Sequence, residues 1–118
     1  MSEHSDQIQL AHWLNQRRNE RGGKLLWTHF PAGYQRTKAG AIAAMRAGTL
    51  RGMPDVLIFD VPSYLTCNGI YIELKTGSGH ASKAQTECHK RLEAAGWIGV
   101  VATLGTAIDW LRTLGIGA

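Results

Sequence analysis

Cysteine is scarce in this 118-residue chain, where only Cys67 and Cys88 occur. They show no framework spacing, which argues against a disulfide-stapled secreted scaffold; two free thiols in a reducing, cytoplasmic setting are expected. No apolar run reaches the roughly eighteen residues that a membrane helix requires, so no span is expected. The opening stretch MSEHSDQIQL is polar and acidic, without the basic start or apolar run of a secretory signal. Repeats, low-complexity tracts and inter-domain linkers are also missing, so residues 1–118 are read as one domain. Acid is nearly absent from Arg17 to Arg51. Eight basic side chains (Arg17, Arg18, Arg21, Lys24, Arg36, Lys38, Arg46 and Arg51) stand there against Glu20 alone, a local excess of 8 − 1 = +7. Such a block attracts a polyanion and gains free energy by releasing its counterions, although a merely solvated basic face has the same composition.

What is present suits a soluble core: 44% hydrophobic and 19% charged residues, with a formal net charge of +4. A first helix is expected over Ser5–Glu20, with Ile8, Trp13, Leu10 and Leu14 as its apolar stripe and Gly22-Gly23 as its stop. Lys24–Phe30 reads as a strand. Thr37 caps a helix over Lys38–Ala47, with Ala41, Ile42, Ala44 and Met45 toward the core and Gly48 at its end. After Gly52-Met53-Pro54, Asp55–Phe59 reads as a short apolar strand. A turn region over Pro62–Asn68 leads to a strand over Gly69–Lys75, and Gly77–Gly79 is a loop. Ser82 opens a helix through Ala95, with Ala84, Cys88 and Leu92 on one side. Trp97–Leu104 reads as a buried strand, and Thr106 caps a last helix through Leu114. The order α-β-α-β-β-α-β-α implies an α/β fold, one mixed central sheet flanked by helices.

The chemistry concentrates in Pro54-Asp55 and, eighteen positions after Asp55, Glu73-Leu74-Lys75. Strand alternation puts Glu73 and Lys75 on one face, with Leu74 turned to the core. If the two strands pair, Asp55 reaches the edge where Glu73 emerges. Two carboxylates and the Leu74 backbone carbonyl then offer hard oxygen ligands of the kind magnesium takes while keeping several waters. An ion held there would polarise a phosphate and acidify a bound water, and Lys75 would orient the water or stabilise developing charge. Either motif alone is common on ordinary strands, so their combination carries the argument.

Pro54-Asp55…Glu73-Leu74-Lys75 resembles the PD-(D/E)xK nuclease superfamily. It is closest to the VRR-NUC branch in its small stand-alone form from phages and prophages. The matching segments are residues 29–33 (HFPAG), 48–55 (GTLRGMPD), 71–75 (YIELK), 79–82 (GHAS) with Gln85, and 107–111 (AIDWL), in the expected order across nearly the whole chain. Family members usually have Asn where this chain has Ala32. The resemblance implies a restriction-endonuclease-like core and a phosphodiester hydrolase dependent on Mg²⁺, with Mn²⁺ able to substitute. It also implies structure-selective DNA cleavage by a homodimer at four-way (Holliday) junctions. Asp55, Glu73, Lys75 and Gln85 would be catalytic, and Glu3 or Gln7 of the first helix a water-mediated or second-site metal ligand.

Several residues carry more than one reading. Ser82 and Gln85 fit a capping box, and the resemblance also places Gln85 near the phosphate. Ser82 and Lys83 sit where a helix N-terminus can meet phosphate. His29 and His80 are expected to flank the cleft. Tyr34, Arg36, Lys38, Arg46 and Arg51 are the candidate DNA contacts, whereas Trp13, Trp27, Trp97 and Trp110 read as core or dimer interface. Cys67, His80, Cys88 and His89 match no zinc-finger spacing. A junction resolvase is the leading reading. Flap or restriction-like cleavage, a non-catalytic architectural DNA-binding protein, and RNA cleavage remain open alternatives.

Overall fold

The computed structural model describes residues 3–30, 37–77 and 79–116, apart from the side chain of Glu3. Helix α1 spans Glu3–Asn15. At about 100° per residue, Leu10, Trp13 and Leu14 fall on one arc and are buried, while Ile8 lies on the far side and is 57% exposed. Ile8 therefore does not belong to the apolar stripe as expected. Asp6 and Gln7 share the buried arc instead.

The helix also stops before the expected Glu20. Asn19 organises the chain beyond it: its Oδ1 accepts from the Arg21 and Gly23 N–H groups at 2.9 and 3.0 Å, and its own N–H donates to the Gly23 carbonyl at 2.9 Å. Gly22 adopts φ +84°, and Arg18 pairs with Lys24 across the resulting hairpin. Gly22-Gly23 is thus the tip of a hairpin stabilised by an Asn side chain, not a helix stop.

Strand β1 (Trp27–His29) is followed by α2 (Lys38–Arg46), β2 (Val56–Ile58), β3 (Gly69–Leu74), α3 (Lys83–Ala94), β4 (Trp97–Ala102) and α4 (Leu104–Thr113). The sheet order is β1-β2-β3-β4; the first two pairings are antiparallel, and β3–β4 is parallel with α3 as its crossover. Both antiparallel strand order and parallel crossover match the expected mixed sheet. Val56, Ile58, Ile70, Ile72 and Leu74 form one face and pack with Leu10, Leu14, Ala107 and Leu111 of α1 and α4. The opposite face, carrying Tyr71 and Glu73, meets α3.

Three expectations about packing change. Helix α2 is capped by Thr37, whose hydroxyl accepts from the Gly40 N–H, but none of its residues is buried, and Ile42 and Met45 are exposed. Strand β4 is mostly half-buried, because it is the outer strand of the sheet. Thr103, not Thr106, is the N-cap of α4, and its Oγ1 donates to Thr106 Oγ1 at 3.2 Å. Cys67 and Cys88 are free thiols, the latter buried. Among the described residues, no helix is long and apolar enough to cross a membrane.

Candidate active site

The ends of β1 and β3 and the start of β2 lie at one end of the sheet, since His29 pairs with Val56 and Val56 with Ile72. Continuing the second register by one residue sets Asp55 opposite Glu73. Directly opposed residues hold their Cβ atoms roughly 5 Å apart. Asp55 turns its carboxylate onto the end of β3, where Oδ2 accepts the Leu74 N–H at 2.8 Å. Its backbone carbonyl accepts the Phe30 N–H at 2.8 Å and meets His29 Nδ1 at 2.7 Å. His29 therefore flanks the site as expected, tying β1 to the start of β2. His80 is exposed in the loop before α3.

Alternation places Tyr71, Glu73 and Lys75 on the face that α3 crosses. The helix answers with Gln85, His89 and Glu93, four residues apart. Lys75 Nζ donates to Gln85 Oε1 at 3.2 Å, His89 Nε2 lies 3.3 Å from Glu73 Oε1, and the Tyr71 hydroxyl donates to Glu93 Oε2 at 2.5 Å. Two residues of strand advance about 6.7 Å and four residues of helix about 6 Å, so the two stripes stay in step along the contact. The chain directions are opposed, which is why 75-73-71 meets 85-89-93.

The capping box holds this alignment at its open end. Ser82 Oγ accepts the Gln85 N–H at 3.2 Å, and Gln85 Oε1 accepts the Ser82 N–H at 2.7 Å. Gln85 thus closes the capping box and touches Lys75 with the same oxygen. Gly52, at φ +84°, packs against the start of α3, where a Cβ would overlap the Ala84 carbonyl oxygen. One residue earlier, exposed Arg51 is held near the same helix end as exposed Ser82 and Lys83.

Burial sets the electrostatics. Glu73 is 2% and His89 6% exposed. Desolvation pushes the His89 pKa down; Lys75 adds to that, while Glu93 and Asp55 oppose it. The Tyr71 phenol is pushed far up by burial and by its bond and proximity to Glu93. The Cys88 thiol is also raised, by burial first, with Arg91 opposing and Glu73 reinforcing.

The structure brings Asp55, Glu73, Lys75 and Gln85 to one face at one end of the sheet. Lys38 and Arg46 lie exposed on α2. Gln7 is buried, and neither of its amide atoms, nor Asp6 Oδ1, has a hydrogen-bond partner among the described residues. The expected contacts Tyr34 and Arg36, the Pro31–Gly33 part of the matching segment and the side chain of Glu3 lie outside the described residues.

His89, Tyr71 and Glu93 were not singled out as site residues by sequence reasoning. The signal that could have found them was their spacing, because His89 and Glu93 follow Gln85 at one and two turns. Among the described residues no three Asp, Glu, His or Cys side chains converge as a metal cluster. Asp55 and Glu73, opposed across β2 and β3, and the Leu74 carbonyl are the candidate oxygen donors. This small, all-oxygen set fits a magnesium-like ion, which completes its shell with water and phosphate oxygens.

No protein-family profile matches the chain, and no curated protein does. A solved structure described as a "VRR_NUC domain protein" is similar to it with a TM-score of 0.78 and 24% sequence identity. The alignment covers 97% of this chain and 88% of that one. The chain therefore has the fold of a VRR_NUC domain, and the mixed sheet with helices on both faces is its core.

Proposed function

We propose that the chain is a metal-dependent endonuclease that hydrolyses DNA phosphodiester bonds at branched structures, four-way junctions foremost. The observation that carries this reading is the gathering of Asp55, Glu73 and Lys75 on one face, with Lys75 tied to Gln85. The similar solved structure, described by its VRR_NUC domain, supports a nuclease domain.

Asp55, Glu73 and the Leu74 carbonyl would hold Mg²⁺, or Mn²⁺ in its place. Such an ion, when bound, supplies Lewis-acid polarisation of the scissile phosphate and a more acidic bound water. Asp55 fixes its own position by accepting from Leu74, so the carboxylate is set before any ligand arrives. Lys75 presents N–H donors to the attacking water and to the phosphate oxygens where charge develops. Gln85 determines where that ammonium rests. Arg51, Ser82 and Lys83 bind phosphates beside the site, and Lys38 and Arg46 of α2 extend the basic surface. Because each protomer carries one such centre, cutting two strands symmetrically calls for a homodimer about a two-fold axis.

The test uses labelled linear duplex, flap and four-way junction DNA in Mg²⁺, with Lys75→Ala as the control. Junction cuts placed symmetrically, lost without divalent ion and slowed about 100-fold by the substitution, are expected. Binding without cleavage under any divalent ion would favour an architectural DNA-binding protein instead.

A further inference from the structure

We infer that His89 is a positioning residue for Glu73, part of a clamp running from α3 through Tyr71 that fixes the carboxylate for its ion. This inference rests on the proposed function above, since it assigns Glu73 to the metal.

The clamp is built from buried groups. A carboxylate withdrawn from water is costly unless it is hydrogen-bonded. Glu73, 2% exposed, meets His89 Nε2 at 3.3 Å, and His89 is itself 6% exposed. With a carboxylate as acceptor, the hydrogen of this contact belongs on Nε2.

The imidazole is held in turn. It stacks on the Tyr71 ring with centroids 4.7 Å apart and planes at 24°. Tyr71 is fixed at its hydroxyl by Glu93, and its ring lies over Gly99, its partner on β4, where any Cβ would overlap the ring. Gly99, Tyr71, His89 and Glu73 thus form a continuous stack ending at the acid. Fixing the plane of a ligating carboxylate through its non-ligating partners tunes affinity, and losing such a partner typically costs about 10–100-fold. A merely structural histidine would support folding and leave the ion's affinity alone.

Mn²⁺ titration of the full-length protein, followed by the EPR signal of the free ion, separates the two. The variants are His89→Met, His89→Gln and His89→Asn, each checked by thermal melting. Gln can place an amide N–H near the position of Nε2, whereas Asn is too short. Binding about 10–100-fold weaker in H89M and H89N, with most of the loss recovered in H89Q, is expected. Should H89M fail to fold, the H89Q and H89N pair decides alone. Equal affinity in all variants, even with lowered melting temperatures, overturns the positioning role and leaves the nuclease reading intact. No Mn²⁺ binding by the unsubstituted protein overturns both. Tight binding that follows the expected series, in a protein that cuts no DNA, removes the nuclease reading while the clamp stands on affinity.

Discussion

Asp55 bonds the strand beside it with one of the oxygens that the proposed site needs. Its Oδ2 takes the Leu74 N–H at 2.8 Å, so an Ala in its place would leave a partly buried donor unmet. Such a loss costs about 1–3 kcal/mol. Asn keeps an acceptor of the same reach but not the charge. In metal-free melts Asp55→Ala should therefore lose about 1–3 kcal/mol and Asp55→Asn clearly less. Both should fail in Mn²⁺ titration, so the pair separates the strand-capping bond from metal binding. Tyr71 offers a test by pH. Its folded pKa is raised well above the ordinary 10.0, by burial and then by Glu93. The stability this contributes is fully present below the unfolded value and is lost as pH rises beyond it. The advantage of the unsubstituted protein over Tyr71→Phe in melts should hold level up to about pH 10 and shrink above it. An advantage that grows in alkali would contradict the assigned bond to Glu93.

Between elements, the alignment of α3 on β3 depends on close backbone approaches. Gly52 combines φ +84° with a Cβ position that overlaps the Ala84 carbonyl oxygen. Gly52→Ala would meet both left-handed strain, roughly 1–3 kcal/mol, and a backbone clash that pushes the start of α3 away. Weaker cleavage with a melting temperature several degrees lower is expected, and an unchanged melt would show that the loop can slide. Contacts of this kind, between segments distant in sequence, divide what was legible in the chain from what was not. The order of eight elements was readable because Gly, Pro, Thr37 and the Ser82–Gln85 box mark their ends. Asp55, Glu73 and Lys75 could be placed together because strand alternation is local and the two strands follow one another. What failed needed knowledge of neighbours. Ala41, Ile42, Ala44 and Met45 have helical spacing whether or not anything lies against them, and among the described residues nothing buries them. Strand β4 is apolar yet half-buried because, among the described residues, no strand lies beyond it. His89 gains its meaning only once α3 is known to cross the Glu73 face of β3, a fact of topology.

At the scale of the whole molecule, basic side chains stand at both ends of the sheet. Arg18, Arg21 and Lys24 belong to the hairpin that precedes β1, and that strand then runs from Trp27 toward the site. They lie at the end of the sheet away from Asp55 and Glu73. Arg51 and Lys83 instead stand at the start of α3, beside Gln85. The net charge of +4 belongs to the chain as a whole, so it would draw a polyanion without choosing where it lies. Counterion release can make that choice visible, because each phosphate neutralised adds about 0.9 to the slope of log K against log salt. Arg51→Ala and Lys83→Ala should each flatten the slope by about 1 in mobility-shift assays with Ca²⁺ or no divalent ion. Arg18→Ala and Arg21→Ala should leave it nearly unchanged if the duplex engages only the site end. An equal flattening from both pairs would mean instead that a DNA arm runs along the length of the sheet and rests on the hairpin. The footprint would then reach beyond the cutting centre to a second arm of the junction.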